Sequence, residues 1–565
     1  MSSPSNRSAR ARRAQANPVA IGVDYGTESG RVVLLDLSSG EEIASSTVPY
    51  QHGVIDRELP SNGLVLEHEW ALQHPGDYLD VLDRGVPEAL RSGQVDPSRV
   101  IGIGIDFTSC TVLPAMADGT PLSMIEAFAT RPHAWTKLWK HHAAQPIADR
   151  LTEVAKERNE PFIQRYGGRI SSEWYFPKLL EVFRADREVY DAMDVFVEAT
   201  DWVIWQLCGR LVRSACTAGY KAFWSPDEGL PSKEYFESAV PGFREPAAKL
   251  GTSFAALGSR AGTLSPGFAQ RLGLDEQVAV AVGNVDSFVS VPGCGVVDPG
   301  VFVTVVGTSI CDMVVHDREV LLPGITGVVR DGILPGSYGY EAGQPAVGDM
   351  FAWYVDRLLG TQPEARAEQY RRLEGQAGAL APGSTGLIAL DWWNGNRSIL
   401  GDAALSGVIA GLGLQTTPVE VYRALLESVA FGARRIVDNF EEYGLALDRV
   451  VACGGIAEKS PVQMQLFADV TGREVEVAGS PQIPARGAAL FASVAAGEEA
   501  GGFRDINAAV EALRPDPARR YEPDARATKV YDEVYEVYCA LHDQLGSPAV
   551  GWLHRLKSIR NRPRA

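Results

Sequence analysis

The chain has 565 residues, 45% of them hydrophobic, and carries a formal charge of −18 at neutral pH with a pI near 5.1. That length is more than one hydrophobic core supports, so two or more domains are expected, with room for a cleft between them. The acidic balance argues against nucleic acid or an anionic membrane as a partner, because either calls for a basic face, and no stretch reaches the roughly 20 apolar residues of a membrane helix.

Residues 1–18 contain Arg7, Arg10, Arg12 and Arg13 but no apolar run and no small-residue cleavage site, which predicts a disordered basic arm rather than an export signal. The seven cysteines, at 110, 208, 216, 294, 311, 453 and 539, form no CxxC pair and lie far apart. Neither disulfides nor a zinc site is expected, and reducing cytoplasm is the compartment that fits.

The first structured segment is Ile21 to Asp36, IGVDYGTESGRVVLLD, a β-branched run, a turn of small and hydroxyl residues, and a return run. Such a turn lets backbone N–H groups and hydroxyls face an anion with no side chain in the way, and Asp24, Thr27 and Arg31 add a carboxylate, a hydroxyl and a cation. Taken alone, an ordinary hairpin is the simpler reading. Helical patterns over Pro75 to Arg91 and Pro177 to Phe183 alternate with a strand at Val100 to Ile105 that ends in Asp106, which is the α/β pattern. The stretch Gly251 to Leu272 is rich in Gly, Ser and Pro, and it predicts a domain break near residue 275.

A second set of strands follows, at Val278 to Val282, Val301 to Val306 and Val450 to Cys453. The first delivers Asp286 past Gly283 and Asn284 at a strand's carboxyl end, where open α/β sheets bind ligands and a carboxylate can take a hydroxyl proton, although an Asx turn is an equal reading. The second ends in Gly307, Thr308 and Ser309, another anion-facing turn. The third ends in Gly454 and Gly455, followed by Lys459, Ser460 and Pro461 opening a helix. A planar base fits over those glycines, but no GxxxxGK[ST] loop is present. Three such turns across both halves of the chain suggest one nucleotide held between two domains.

Thr417 and Pro418 suit a helix start, with Val421, Leu425, Ser428, Gly432, Ile436 and Phe440 on one face, which predicts a core helix. Near the end, Val530, Val534, Val537, Leu541 and Leu545 share helical spacing, which predicts a helix packed through that face and stopped at Gly546. The tail, with Arg555, Lys557, Arg560, Arg562 and Arg564, is expected to fray. Lys221 in AGYKAFW and Glu341 in YGYEAG are polar residues among aromatic and small ones, as in polyol pockets, though each alone reads as a surface charge. The tryptophans read as core residues, and the histidines at 133, 141 and 142 show no metal spacing.

From Ala20 to Leu545 the chain resembles the FGGY carbohydrate kinase family, within the actin-like ATPase superfamily. DYGTESGR is similar to the family's first phosphate motif, VVGTS to its second, and ACGGIAEKSPVQMQ to its adenosine motif. GVIAGLGLQTTPVEVYRALLE is similar to its second signature, whereas only YFPKLLEVF around Lys178 stands in place of the first. The resemblance implies two α/β domains of the actin-like, ribonuclease H-like kind with a cleft between them: a sugar-binding domain over 19–275, an ATP-binding domain over 276–548, and a basic tail over 549–565. DFTSCT, AGYKAFW, YGYEAGQ and DWWNGNRS are similar to the motifs of members that phosphorylate L-ribulose. By that resemblance Asp286 is the catalytic base, and Ser109, Lys221 and Glu341 contact the sugar with it. Asp24, Thr27, Gly307, Thr308, Gly454, Gly455 and Lys459 serve ATP, with Asp24 near Mg2+. The implied reaction is ATP-dependent formation of L-ribulose 5-phosphate in arabinose breakdown. Another ketopentose or pentitol such as D-ribulose or ribitol, a nucleotide-switched binding protein without sugar turnover, and a homodimer all remain open.

Overall fold

The computed structural model describes residues 17–560, so the expected basic arm, apart from its last two residues, and Arg562 and Arg564 of the tail lie outside the described residues. The first sheet holds β1 (Val19–Tyr25), β2 (Ser29–Asp36), β3 (Glu42–Pro49), β4 (Val100–Phe107), β5 (Arg260–Thr263), β6 (Ala279–Ala281) and β7 (Asn284–Val285). Their order is β3-β2-β1-β4-β6-β5, with β7 also paired to β4. β1 and β4 are buried along their whole lengths, as strands covered on both faces are. β1 runs antiparallel to β2 and parallel to β4, which sets Asp24 opposite Arg31 on one side and Asp106 on the other. Asn284 of β7 pairs with Asp106 in turn, so these polar residues form one row at the end of the sheet.

The second sheet is built the same way from β8 (Val301–Val306), β9 (Ile310–His316), β10 (Gly327–Arg330), β11 (Tyr338–Gln344), β12 (Arg449–Cys453), β13 (Val475–Val477) and β14 (Arg519–Tyr521), in the order β10-β11-β9-β8-β12-β13-β14. β8 is antiparallel to β9 and parallel to β12, repeating the relation of β1 to β2 and β4. Each lobe therefore brings a hairpin turn and the carboxyl ends of parallel strands to one edge.

Two helices join the lobes. Ile483–Ala496, from late in the chain, lies directly on the first sheet, since a Cβ on Gly22 would stand 1.7 Å from the Ala485 carbonyl oxygen and one on Gly104 would stand 2.1 Å from that of Ala488. It also packs against the helix Asp286–Gly293, where Gly487 approaches the Val289 carbonyl closely. One apolar cluster consequently runs from Ala20 and Ile101 of the first sheet through Val289 and Ala489 to Val303 and Val451 of the second.

The Gly- and Pro-rich stretch expected to end the first domain instead leads into its edge strand β5, and β6 and β7 after residue 275 still pair within the first sheet. We place the boundary between Gly293 and Val301. The helix Pro418–Glu442 starts at the expected residue, with a capping box in which Thr417 and Glu420 satisfy each other's backbone N–H groups, and Leu425, Ser428, Gly432, Ile436 and Phe440 are buried on it.

The face of the late helix Ala525–Gly546 agrees with expectation at Val534 and Leu545, which pack half-buried against the second-lobe core, and departs from it at Val530 and Val537. Val530 and Val537 are exposed at 37% and 52%, while Tyr531, Tyr535, Tyr538 and His542 are buried. The tyrosine rings supply more apolar area, and two of their hydroxyls find carboxylate acceptors: Tyr531 donates to the buried Glu427 at 3.0 Å and Tyr535 to the half-buried Asp438 at 2.6 Å. The tail does not fray through its described part, because Trp552–Arg560 is helical, Leu553 is buried and His554 pairs with Asp402 at 2.7 Å. All seven cysteines are free. Among the described residues no helix is long and apolar enough to cross a membrane.

Candidate active site

The turn between β1 and β2 is held from three sides. Gly26 N–H donates to the Ser29 carbonyl at 3.0 Å. The Thr27 carbonyl accepts from Gln73 at 2.7 Å, and its hydroxyl accepts from the Trp139 indole at 3.1 Å. Asp24, 2% exposed, accepts from Arg31 Nη1 at 2.8 Å.

Beside it, Asp106 is completely buried, and among the described residues neither of its carboxylate oxygens has a hydrogen-bond donor. Burial first, then the charges of Asp24 and Asp286, hold its carboxyl well above the ordinary range. Asp286 opens the helix Asp286–Gly293 and accepts from the Ser287 N–H at 2.6 Å. The residue is half-buried, and burial first, then the nearby Asp24 carboxylate, push its carboxyl up to about 7. The three strand-end aspartates thus form one electrostatically coupled set. The two oxygens of Asp106, beside the Asp24 carboxylate, suit a hard divalent cation such as Mg2+.

Ser109 follows β4 in a loop in which Thr108 N–H donates to the Tyr25 carbonyl at 3.1 Å and the Thr108 and Thr111 hydroxyls meet at 2.8 Å. Its hydroxyl is buried with no partner among the described residues, and the next residue, Cys110, has a left-handed backbone with φ 56°. Lys221 and Glu341, which read singly as surface charges, are both buried and joined at 2.8 Å. Burial alone would depress the Lys221 ammonium, but the charge and hydrogen bond of Glu341 outweigh it and raise its pKa. Since Lys221 closes a first-lobe helix, Ala215–Lys221, and Glu341 lies on β11, the pair spans the two lobes. They line a cavity of about 530 Å³ together with Trp174, Glu173, Thr326 and Arg397. Asp286 and Ser109 are not on its wall, although Lys221 and Glu341 both act electrostatically on Asp286.

On the second lobe, Gly307 N–H donates to the Ser309 carbonyl at 3.0 Å, and Gly348 N–H donates to the Thr308 carbonyl at 2.9 Å, leaving the Thr308 side chain exposed. Because Val305 of β8 pairs with Cys453 of β12, the 307–309 turn lies next to Gly454. Gly454 has φ +94° and its Cβ position falls 2.8 Å from the Val306 carbonyl oxygen, so a side chain is excluded there. Gly455 faces open space, and Lys459 is exposed at the end of the helix Gly455–Lys459.

Sequence reasoning missed Trp139, whose contact with Thr27 spans 112 residues and leaves no local signal. It also missed Glu173, which accepts from His142 at 3.0 Å and approaches Arg397 at 4.0 Å across the cleft. Arg397 sits in the DWWNGNRS motif and was discoverable as the lone cation of a polar, glycine-bearing loop.

The family models for the N-terminal and C-terminal domains of the FGGY family of carbohydrate kinases match residues 19–293 and 302–496. A protein named Ribulokinase from Anoxybacillus flavithermus is 50% identical over 551 residues, covering 96% of this chain and 98% of that protein. One of the same name from Shouchella clausii is 50% identical over 548 residues, with the same coverage of each. Among solved structures, the xylulose kinase from Rhodospirillum rubrum superposes with a TM-score of 0.76 at 23% identity, over 93% of this chain and 99% of that one. The gluconate kinase from Lactobacillus acidophilus does so with a TM-score of 0.77 at 18% identity, over 94% and 99%.

Proposed function

The chain belongs to the FGGY family of carbohydrate kinases, and from that premise we propose that it transfers the γ-phosphoryl group of ATP to the terminal hydroxyl of L-ribulose, giving L-ribulose 5-phosphate and ADP. The observation that carries this reading is the buried Lys221–Glu341 pair joining the two lobes, whose charges both act on the Asp286 carboxyl. The near-full-length relatives named Ribulokinase support ribulose as the sugar. The L configuration rests on the pocket motifs.

In this reading Asp286 accepts the hydroxyl proton as the alcohol oxygen attacks phosphorus, and the bond to the bridging oxygen of ADP breaks on the opposite side. A carboxyl poised near 7 takes that proton without being solvated too well to react. Lys221 and Glu341 exchange hydrogen bonds with one another for bonds to sugar hydroxyls, and Ser109 offers its unpartnered hydroxyl. Thr27, Gly307 and Thr308 face the phosphates, while Gly454, Gly455 and Lys459 border the nucleoside. Asp24, with Asp106 behind it, would hold magnesium, which would neutralise phosphate charge. Closure of the lobes about the Asp286–Gly293 and Ile483–Ala496 helices would exclude water, the competing acceptor of the phosphoryl group.

The test is ADP release with L-ribulose, D-ribulose, D-xylulose and ribitol. L-ribulose is expected to give the highest kcat/KM. A clear preference for another sugar overturns the substrate assignment, and ATP hydrolysis indifferent to every sugar, with capture of a protein partner, overturns the kinase reading in favour of a switch.

A further inference from the structure

Lys178 is completely buried in the helix Tyr175–Ala185, and among the described residues no carboxylate pairs with it. Instead its ammonium donates to three main-chain carbonyls, of Cys110 at 2.7 Å, Leu138 at 2.9 Å and Trp139 at 3.4 Å. A desolvated cation held only by carbonyls is an expensive way to fill a core, and burial accordingly depresses its pKa. What it grips is informative. Cys110 is the residue in the left-handed conformation immediately after Ser109, a backbone that residues other than Gly, Asn, Asp and His rarely adopt. Trp139 is the residue whose indole donates to the Thr27 hydroxyl in the first phosphate-facing turn. The Ser109 loop is also tied to the same hairpin through Thr108 and Tyr25.

We propose that Lys178 is a positioning residue that sets the Ser109 loop and the Thr27 turn in register with one another, by clamping the Cys110 carbonyl on one side and the Leu138 and Trp139 carbonyls on the other. Without the ammonium, three carbonyls converge on an unfilled space, the Cys110 backbone relaxes toward an ordinary conformation, and the two loops that face sugar and phosphate lose their fixed spacing. The inference rests on the site reading above for its catalytic consequence, but not for the coupling itself.

The test is Lys178→Met, which keeps the length and apolar stem. Misplacing reacting groups by an ångström is worth on the order of 100-fold, so kcat/KM for the sugar is expected to fall about that far. Binding of ADP, which lacks the γ-phosphate that the Thr27 turn would meet and keeps the second-lobe contacts, should stay within about 3-fold of wild type. Hydrogen exchange should accelerate in the peptides covering 106–113 and 136–141 and remain unchanged over the second sheet. Loss of sugar and ADP binding in parallel, or faster exchange across the whole first lobe, would make Lys178 a structural residue only and overturn the proposal. If Lys178→Met does not accumulate as folded protein, Trp139→Phe at a part-exposed position carries the test. It should lower kcat by about 10-fold with unchanged melting and ADP affinity, and an unaltered kcat overturns the coupling. The exchange readout needs no sugar, so a wild-type protein inactive on the whole panel would sink the substrate assignment while leaving this inference testable.

Discussion

The cross-lobe pair of Lys221 and Glu341 yields to a double-mutant cycle whose size follows from its geometry. At 2.8 Å and an effective dielectric near 20 the two charges attract by about 6 kcal/mol, against a desolvation penalty of several kcal/mol for each ion. The intact pair is therefore close to neutral for folding. Removing one partner forfeits the attraction while the other ion stays buried, so Lys221→Met and Glu341→Gln should each lose about 3–5 kcal/mol. The double variant should recover most of that loss, to within about 2 kcal/mol of wild type, a coupling that only groups in direct contact show. Activity should not recover with it. If both groups meet sugar hydroxyls, all three variants lose at least about 100-fold in kcat/KM for the sugar, because hydrogen bonds to a charged partner are the discriminating kind. The assay is urea unfolding of the four proteins alongside ADP-coupled kinetics. Additive single losses would refute the pair. A stable double variant with wild-type sugar kinetics would refute its place at the sugar.

Asp286→Asn should lower kcat by at least about 1000-fold while ATP binding stays within about 3-fold, and near-normal turnover would remove it as the base. Wild-type kcat/KM should rise with pH through an acid limb near 7, the value to which burial and Asp24 push this carboxyl. The sign for stability is opposite: a carboxyl whose pKa is raised by folding destabilises the folded state once it ionises, so Asp286→Asn should melt above wild type at pH 8, with the gap closing as pH falls from 7 toward 4. Gly454→Ala should raise KM for ATP about tenfold and destabilise by about 1–3 kcal/mol, since φ +94° and a Cβ 2.8 Å from the Val306 carbonyl oxygen leave no room for it; calorimetry and ATP titration read both. Gly22→Ala, which would drive a Cβ to 1.7 Å from the Ala485 carbonyl oxygen, should abolish soluble folded protein or lower its melting point sharply.

Turns, strands and caps were legible because their causes are local. DYGTESGR, VVGTS and ACGGIAEKS each carry a β-branched run and small turn residues within a dozen positions, and Thr417 with Glu420 forms its cap over a single turn. The late helix shows where local pattern misleads: its valines have the spacing of a buried face, but the choice of face was made by Glu427 and Asp438, about 100 residues earlier, which give the tyrosine hydroxyls acceptors. The same distance hides Lys221 from Glu341 and Trp139 from Thr27, separated by 120 and 112 residues. A consequence for function follows. In the proposed reading the turns toward the phosphates offer mainly backbone N–H groups, glycine and the hydroxyls of Thr27 and Thr308, so they would serve any substrate that accepts a phosphoryl group, whereas the groups proposed to tell one polyol from another, led by the Lys221–Glu341 pair, meet between the lobes. Sugar preference should therefore respond to changes at Lys221, Glu341, Glu173 and Arg397 far more than to changes in the hairpins, and exchanging residues of the hairpins alone should alter rate for every sugar alike.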